Sequence, residues 1–199
     1  MHPSLYRREK IMAEKNLEGL RVAIIAADYF EQAELQRPRE ALDDAGADTK
    51  IISVKPGEIQ GVHHVEKGDK FKVDMTLADA RPDQFDAVLL PGGAVNADFL
   101  RVVPEAQKFV QEFDRAGKPI AFICHAPWLL VSARLAKDRT FTSYHTIQDD
   151  MRNAGAHWVD KEVVRDRNWV SSRQPSDIPA FNSQMITLFA EAVPSQRAA

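Results

Sequence analysis

The feature that most constrains this chain is a recurring alternation of short apolar runs with segments of helical spacing. The runs are LRVAIIAA (Leu20 to Ala27), TKIISV (Thr49 to Val54), FDAVLL (Phe85 to Leu90) and PIAFI (Pro119 to Ile123). Such brief, β-branched, continuously apolar stretches suit strands buried on both faces of a parallel sheet. Between them, Leu35, Pro38, Leu42 and Ala45 recur at helical spacing and Gly46 stops the helix, while a second helix is expected from about Pro104 to Ala116. Gly57, Gly61 and Gly68 punctuate the stretch from Pro56 to Val73, which reads as a small antiparallel hairpin excursion. The remainder alternates more weakly. It offers a strand at Thr140 to Tyr144, a helix at Thr146 to Ala154, a hairpin about Asp166-Arg167-Asn168, and a closing helix from Ser176 or Asp177 to about Glu191. The expected fold class is α/β: a single-domain, doubly wound, mostly parallel sheet with helices on both faces.

The chain has 199 residues, which suits one domain. Its net charge of −3 lacks the positive surplus of a general nucleic-acid or anionic-membrane binder. No run approaches the roughly 20 apolar residues of a membrane span. Residues 1–18 mix Arg7, Arg8, Lys10 and Lys15 with Glu9, Glu14 and Glu18, and lack the apolar core of a secretion signal. They are expected to be a flexible extension, with Met12 an alternative start, ahead of a domain at 19–191 and a tail at 192–199. A single cysteine permits no internal disulfide and suits a reducing cytoplasm.

That cysteine carries the sharpest local signal. In PIAFICHAPWLL a buried strand breaks at Cys124 and a helix is expected at once from His125 to Ala133, the pattern of a nucleophile elbow. The N–H groups opening such a helix favour thiolate over thiol. A thiol of pKa near 8.5 is only about 3% ionised at pH 7, whereas one lowered to about 5.5 is about 97% ionised. The expectation is therefore a reactive, low-pKa Cys124.

Four stretches, ADYFEQAEL (from Ala27), FDAVLLPGG (from Phe85), ICHAPWLL (from Ile123) and DDMRNAGAHWVDKEVVRDRNWVSSR (from Asp149), resemble in order the ThiJ/PfpI superfamily. The nearest branch is the intracellular protease I and general-stress-protein group. The resemblance covers about Gly19 to Glu191 and implies a flavodoxin-like fold of the class I glutamine amidotransferase type. It implies that Cys124 is the nucleophile, that His125 is the histidine beside it, and that Glu31 is the acid contacting the sulfur. Gly92 and Gly93, with backbone after Cys124 including Ala126, are implied to form an oxyanion hole. The branch completes its triad with a glutamate from a neighbouring subunit; here Asp98 is the best match, one methylene shorter and with the loop one residue longer. Ala126 stands where glycine is usual, and its methyl group is expected to narrow the pocket. The implied partners are a second copy of the chain, as homodimer or larger assembly, and small carbonyl compounds or glycated or peptide substrates.

Other residues carry less. His63 and His64 are adjacent on an extended segment and so point to opposite faces, which argues against a metal site. No cofactor is expected. Tyr144 and His145 can line the site, but surface or packing roles are the plainer expectation, as are core or interface roles for Trp128, Trp158 and Trp169. Asp149-Asp150 reads as a solvated helix face, and Gly92-Gly93 lacks a phosphate-loop pattern. The resemblance implies deglycase or glyoxalase activity through a Cys124 thiolate. Peptidase activity, or a redox-responsive role through cysteine oxidation, are the competing readings. Glutamine amidotransferase chemistry lacks its late His-x-Glu, because His157 is followed by Trp158 and Val159.

Overall fold

The computed structural model of the chain describes residues 17–193. The expected N-terminal extension and C-terminal tail lie outside the described residues up to 16 and beyond 193. Leu17 is already core: it is fully buried and its N–H donates to Ala45 O at 2.8 Å.

In chain order the strands are β1 (Arg21–Ile25), β2 (Phe30–Glu31), β3 (Asp48–Ser53), β4 (Glu58–His63), β5 (Glu66–Lys72) and β6 (Met75–Thr76). They continue as β7 (Ala87–Leu90), β8 (Ile120–Ile123), β9 (Thr140–Phe141), β10 (His157–Trp158), β11 (Val163–Asp166) and β12 (Trp169–Ser172). The helices are α1 (Gln32–Asp44), α2 (Ala94–Leu100), α3 (Pro104–Arg115), α4 (Pro127–Ser132), α5 (Gln148–Asn153) and α6 (Ile178–Ala190). Seven strands form the central sheet in the order β11-β12-β8-β7-β1-β3-β6. Every neighbouring pair is parallel except β11 with β12, whose hairpin turns through Arg167 at φ 54°.

The period of two divides each apolar strand between two cores. Val22, Ile24, Leu89 and Ile123 pack on one face with Leu35 and Leu42 of α1 and Phe181 and Phe189 of α6. Ala23, Ile25, Val88 and Phe122 pack on the other with Phe109 and Phe113 of α3 and Leu129 and Leu130 of α4. Burial on both faces explains why these strands read as unbroken apolar runs. The fold is thus the doubly wound, flavodoxin-like arrangement expected from the alternation.

The hairpin excursion is present as β4 and β5, antiparallel, with β2 added in parallel on the β4 side. The strand expected at Thr140 to Tyr144 shrinks to β9, which pairs with β10 outside the central sheet. After β3 the chain returns to the other side of β1 to lay down β7. A crevice therefore opens beyond the carboxyl ends of β1 and β7, next to that of β8, where an open α/β sheet holds its ligands.

Candidate active site

The ends of β1, β7 and β8 meet at this crevice, and Asn96 ties the first two together. Its buried side chain accepts from Ala27 N–H at 2.7 Å, after β1, and donates to the carbonyls of Pro91 and Gly92, after β7. Cys124 follows β8 with φ at 64°, a left-handed conformation costly for a residue with a Cβ. The turn is held from both sides, because Cys124 N–H donates to Ser172 O and Cys124 O accepts from Tyr144 N–H. Gly92 must be glycine: a Cβ there would lie 2.6 Å from Cys124 Cβ.

The acid at the sulfur is Glu34, not Glu31. Glu34 is fully buried, its Oε2 accepts from Gly92 N–H at 3.0 Å, and its carboxyl shares a hydrogen bond with the Cys124 thiol. Its Oε1 is buried with no hydrogen-bond partner. Burial, then the charge of nearby Glu31, raises the Glu34 pKa to about 8, so the group is a neutral acid at pH 7. Glu31 lines the same cavity, but its Oε2 accepts from His64 N–H at 3.0 Å in the β4–β5 turn. The two acids lie three apart, Glu31 just before α1 and Glu34 within it. A glutamate inside the stripe of Leu35, Pro38 and Leu42 is the one sequence signal that could have singled out Glu34.

The thiol also departs from expectation. The helix after it starts only at Pro127, lasts six residues, and opens with a residue that has no N–H to offer. Burial pushes the Cys124 thiol up and a charged Glu34 would push it further, opposed by the Gly93 and His125 N–H groups at the sulfur. A helix-stabilised thiolate is therefore not what this turn builds. His125 instead lies beside the sulfur, with Nδ1 3.1 Å from Sγ. Burial and the nearby His145 hold the imidazole pKa below its usual value, so the ring is neutral and able to accept a proton.

The proposed oxyanion donors separate likewise. Gly92 N–H is taken by Glu34 and Ala126 N–H by Ile123 O, leaving Gly93 and His125 as the donors that face the sulfur. The Ala126 methyl group does not narrow the pocket, because it packs into the core with Leu129 and Leu130. Asp98 is exposed in the middle of α2 and does not line the cavity. Among the described residues no carboxylate pairs with His125. The cavity, about 480 Å³, is walled by Tyr29, Glu31, His64, Val95, Cys124 and Tyr144, among others. Tyr144, for which packing was expected, flanks the His125 ring at a centroid distance of 5.0 Å. Among the described residues no group of three His, Cys, Asp or Glu is placed to hold a metal.

Comparison with known proteins agrees with this fold. Residues 20–188 match the DJ-1/PfpI family. The chain is 41% identical over 169 residues to "Deglycase PfpI" of Pyrococcus furiosus, covering 85% of this chain and 99% of that one. It is 40% identical to an uncharacterized Staphylococcus aureus protein, covering 83% and 96% of the two chains. Among solved structures, Drosophila melanogaster DJ-1beta superposes with a TM-score of 0.79 at 26% identity, over 87% of this chain and 93% of that one. A two-domain Anabaena variabilis protein with DJ-1/ThiJ/PfpI-like and ferritin-like domains gives 0.79 at 31% identity, over 84% of this chain and 49% of that one. The elbow cysteine with its buried acid thus sits on a fold and a sequence shared with these relatives, and the chain belongs to the DJ-1/PfpI family.

Proposed function

We propose that this protein is a cysteine-dependent enzyme acting on reactive carbonyl adducts, of deglycase or glyoxalase type. The observation that carries the reading is the 3.1 Å contact of Cys124 Sγ with a neutral His125, beside the protonated Glu34. As the sulfur adds to a carbonyl carbon, a C–S bond forms and the S–H proton passes to His125 Nδ1. The carbonyl π pair becomes an oxyanion, for which Gly93 and His125 supply N–H donors. The Glu34 acid stays protonated and donates to the sulfur rather than repelling it. For an amine adduct of methylglyoxal, one water is consumed overall while the free amine and a hydroxy acid are released. For the free dicarbonyl, the same water yields the hydroxy acid. The relatives named deglycase support this choice of chemistry, and the single thiol suits a reducing cytoplasm and a stress-response role.

The deciding experiment compares turnover of methylglyoxal, of a methylglyoxal-modified arginine or lysine peptide, and of casein. Turnover of the first two and not the third supports the proposal. Cleavage of casein alone would make the protein a peptidase. Stoichiometric oxidation of Cys124 with no turnover would make it a redox-responsive protein.

Among the described residues His125 has no carboxylate partner, and we place Asp98 from a second copy of the chain as that partner in a homodimer or larger assembly. Asp98→Ala should then lower turnover by tens- to thousands-fold. Mixing inactive Cys124→Ser and Asp98→Ala chains should restore part of the activity, and verified mixed dimers without activity would sink the shared site.

A further inference from the structure

Two aromatic side chains from different parts of the chain contact the His125 ring. Tyr144, in the loop after β9, lies 5.0 Å away at 30°. Trp128, on α4, meets the ring nearly edge to face at 5.3 Å and 61°. Trp128 is itself fixed at two points. Its Nε1–H donates to Asp150 Oδ2 of α5 at 2.8 Å, and the Arg101 guanidinium lies 5.1 Å over its ring. Arg101 is anchored in turn by donating Nε–H to Ser132 Oγ at the end of α4. Trp128 remains partly exposed, so these polar contacts, and not core packing alone, hold its ring in place.

We propose that Trp128, tethered by Asp150, is a positioning residue that holds the His125 imidazole with Nδ1 on the sulfur. A neutral imidazole accepting the thiol proton at Nδ1 carries its own proton on Nε2. Rotation of the ring by half a turn about its Cβ–Cγ bond takes Nδ1 away from Sγ and ends the 3.1 Å contact. Trp128 and Tyr144 both contact the ring, so such a rotation has to be made against their packing. Within the chain the clamp does what a carboxylate does in other nucleophile–histidine pairs, by packing rather than by charge. Asp150, which reads from sequence as a solvated helix face, then acts on the site through Trp128. The role of His125 as base rests on the function proposed above; the geometry of the clamp does not.

Two readouts separate the clamp from that function. In the apo protein, ring-nitrogen NMR of His125 should show one tautomer, with the proton on Nε2. Trp128→Ala and Asp150→Ala should mix the tautomers, whereas Trp128→Phe, which keeps an aromatic wall, should largely preserve the single form. In turnover, Trp128→Ala should lower kcat by about 10- to 100-fold with KM within about twofold, as lost orientation of a general base does. Trp128→Phe should recover most of that loss. Asp150→Ala should cost about 3- to 10-fold alone and nothing more in a Trp128→Phe background, because phenylalanine has no N–H for Asp150 to hold. An unchanged His125 tautomer in both alanine variants would overturn the clamp even in an active enzyme. An additive Asp150 effect would do the same. Loss of the single tautomer in a protein that turns over no carbonyl adduct would support the clamp and reject the proposed function instead.

Discussion

Arg139 and Glu34 are both ionisable residues sunk below the surface, at opposite ends of the central sheet, and their surroundings differ in kind. Arg139, 5% exposed, gives its Nε to Asp166 Oδ2, one Nη to Asp114 Oδ1, and the other to Asp166 O and Asn168 Oδ1. Its guanidinium lies 3.7 Å from the Trp169 ring centroid, and Asp114 Oδ1 also accepts from Asn168 and from Trp169 Nε1. Glu34 has one backbone N–H, a thiol, and an oxygen with no partner. Near the amino ends of β8 and β12, buried polar groups are satisfied and hold α3, β9 and the β11–β12 hairpin together. At the carboxyl end of β8 they are left short of partners around a strained Cys124. An unsatisfied buried group is costly, and it is retained where a proton must be held or moved.

The largest effect that tests this contrast is the loss of the sulfur. Cys124→Ser should keep the fold and abolish turnover, because the serine hydroxyl has neither the acidity nor the nucleophilicity of the thiol. Full activity in a folded Ser variant would remove Cys124 from the mechanism. At the other end, Arg139→Ala should destabilise the protein by about 3–5 kcal/mol, since it strands two carboxylates in a partly buried site. Urea unfolding would measure this, with kcat and KM of the remaining folded enzyme unchanged. A loss below about 1 kcal/mol would mean that the network is merely surface-like.

Glu34 gives the subtler test. Its folded-state pKa of about 8 lies above the ordinary carboxyl value, so the folded chain binds the proton more tightly than the unfolded one. Its contribution is therefore fully present below the unfolded pKa and is lost as pH rises toward 8. Across pH 5 to 8 that loss is on the order of 4 kcal/mol. Glu34→Gln should flatten this slope of stability against pH. It should also lower kcat by about 10-fold, because the amide is a weaker donor to the sulfur. Identical slopes for the two proteins would mean that Glu34 is ionised in the fold.

Much of this molecule was legible before any coordinates. Period-two burial on both faces made β1, β7 and β8 readable as apolar runs, and the break of PIAFI at Cys124 marked the elbow. The glycine-rich segment from Gly57 to Gly68 declared its hairpin, because alternation and turn residues are local properties. Glu31 and Glu34 show where local reading stops. Both stand in one motif three residues apart, but Glu31 is an extended residue of β2 just before the helix and Glu34 lies within α1. Only the packing of α1 against the sheet decided that Glu34 points at the sulfur and Glu31 at the His64 turn. The choice among N–H donors was equally hidden, since it depended on Glu34 claiming Gly92 and on Ile123 claiming Ala126.

By itself, then, the sequence determined the alternation of the main strands and helices, the two-faced core and the position of the cysteine elbow. These follow from periodicity and turn chemistry within a dozen residues. The tertiary structure alone decided which acid keeps its proton, which N–H groups face the sulfur, and that Trp128, Tyr144 and Asp150 converge on His125. Those contacts join residues up to 90 positions apart, and their energies depend on burial and on competing partners. Neither quantity exists until the sheet has closed its two cores.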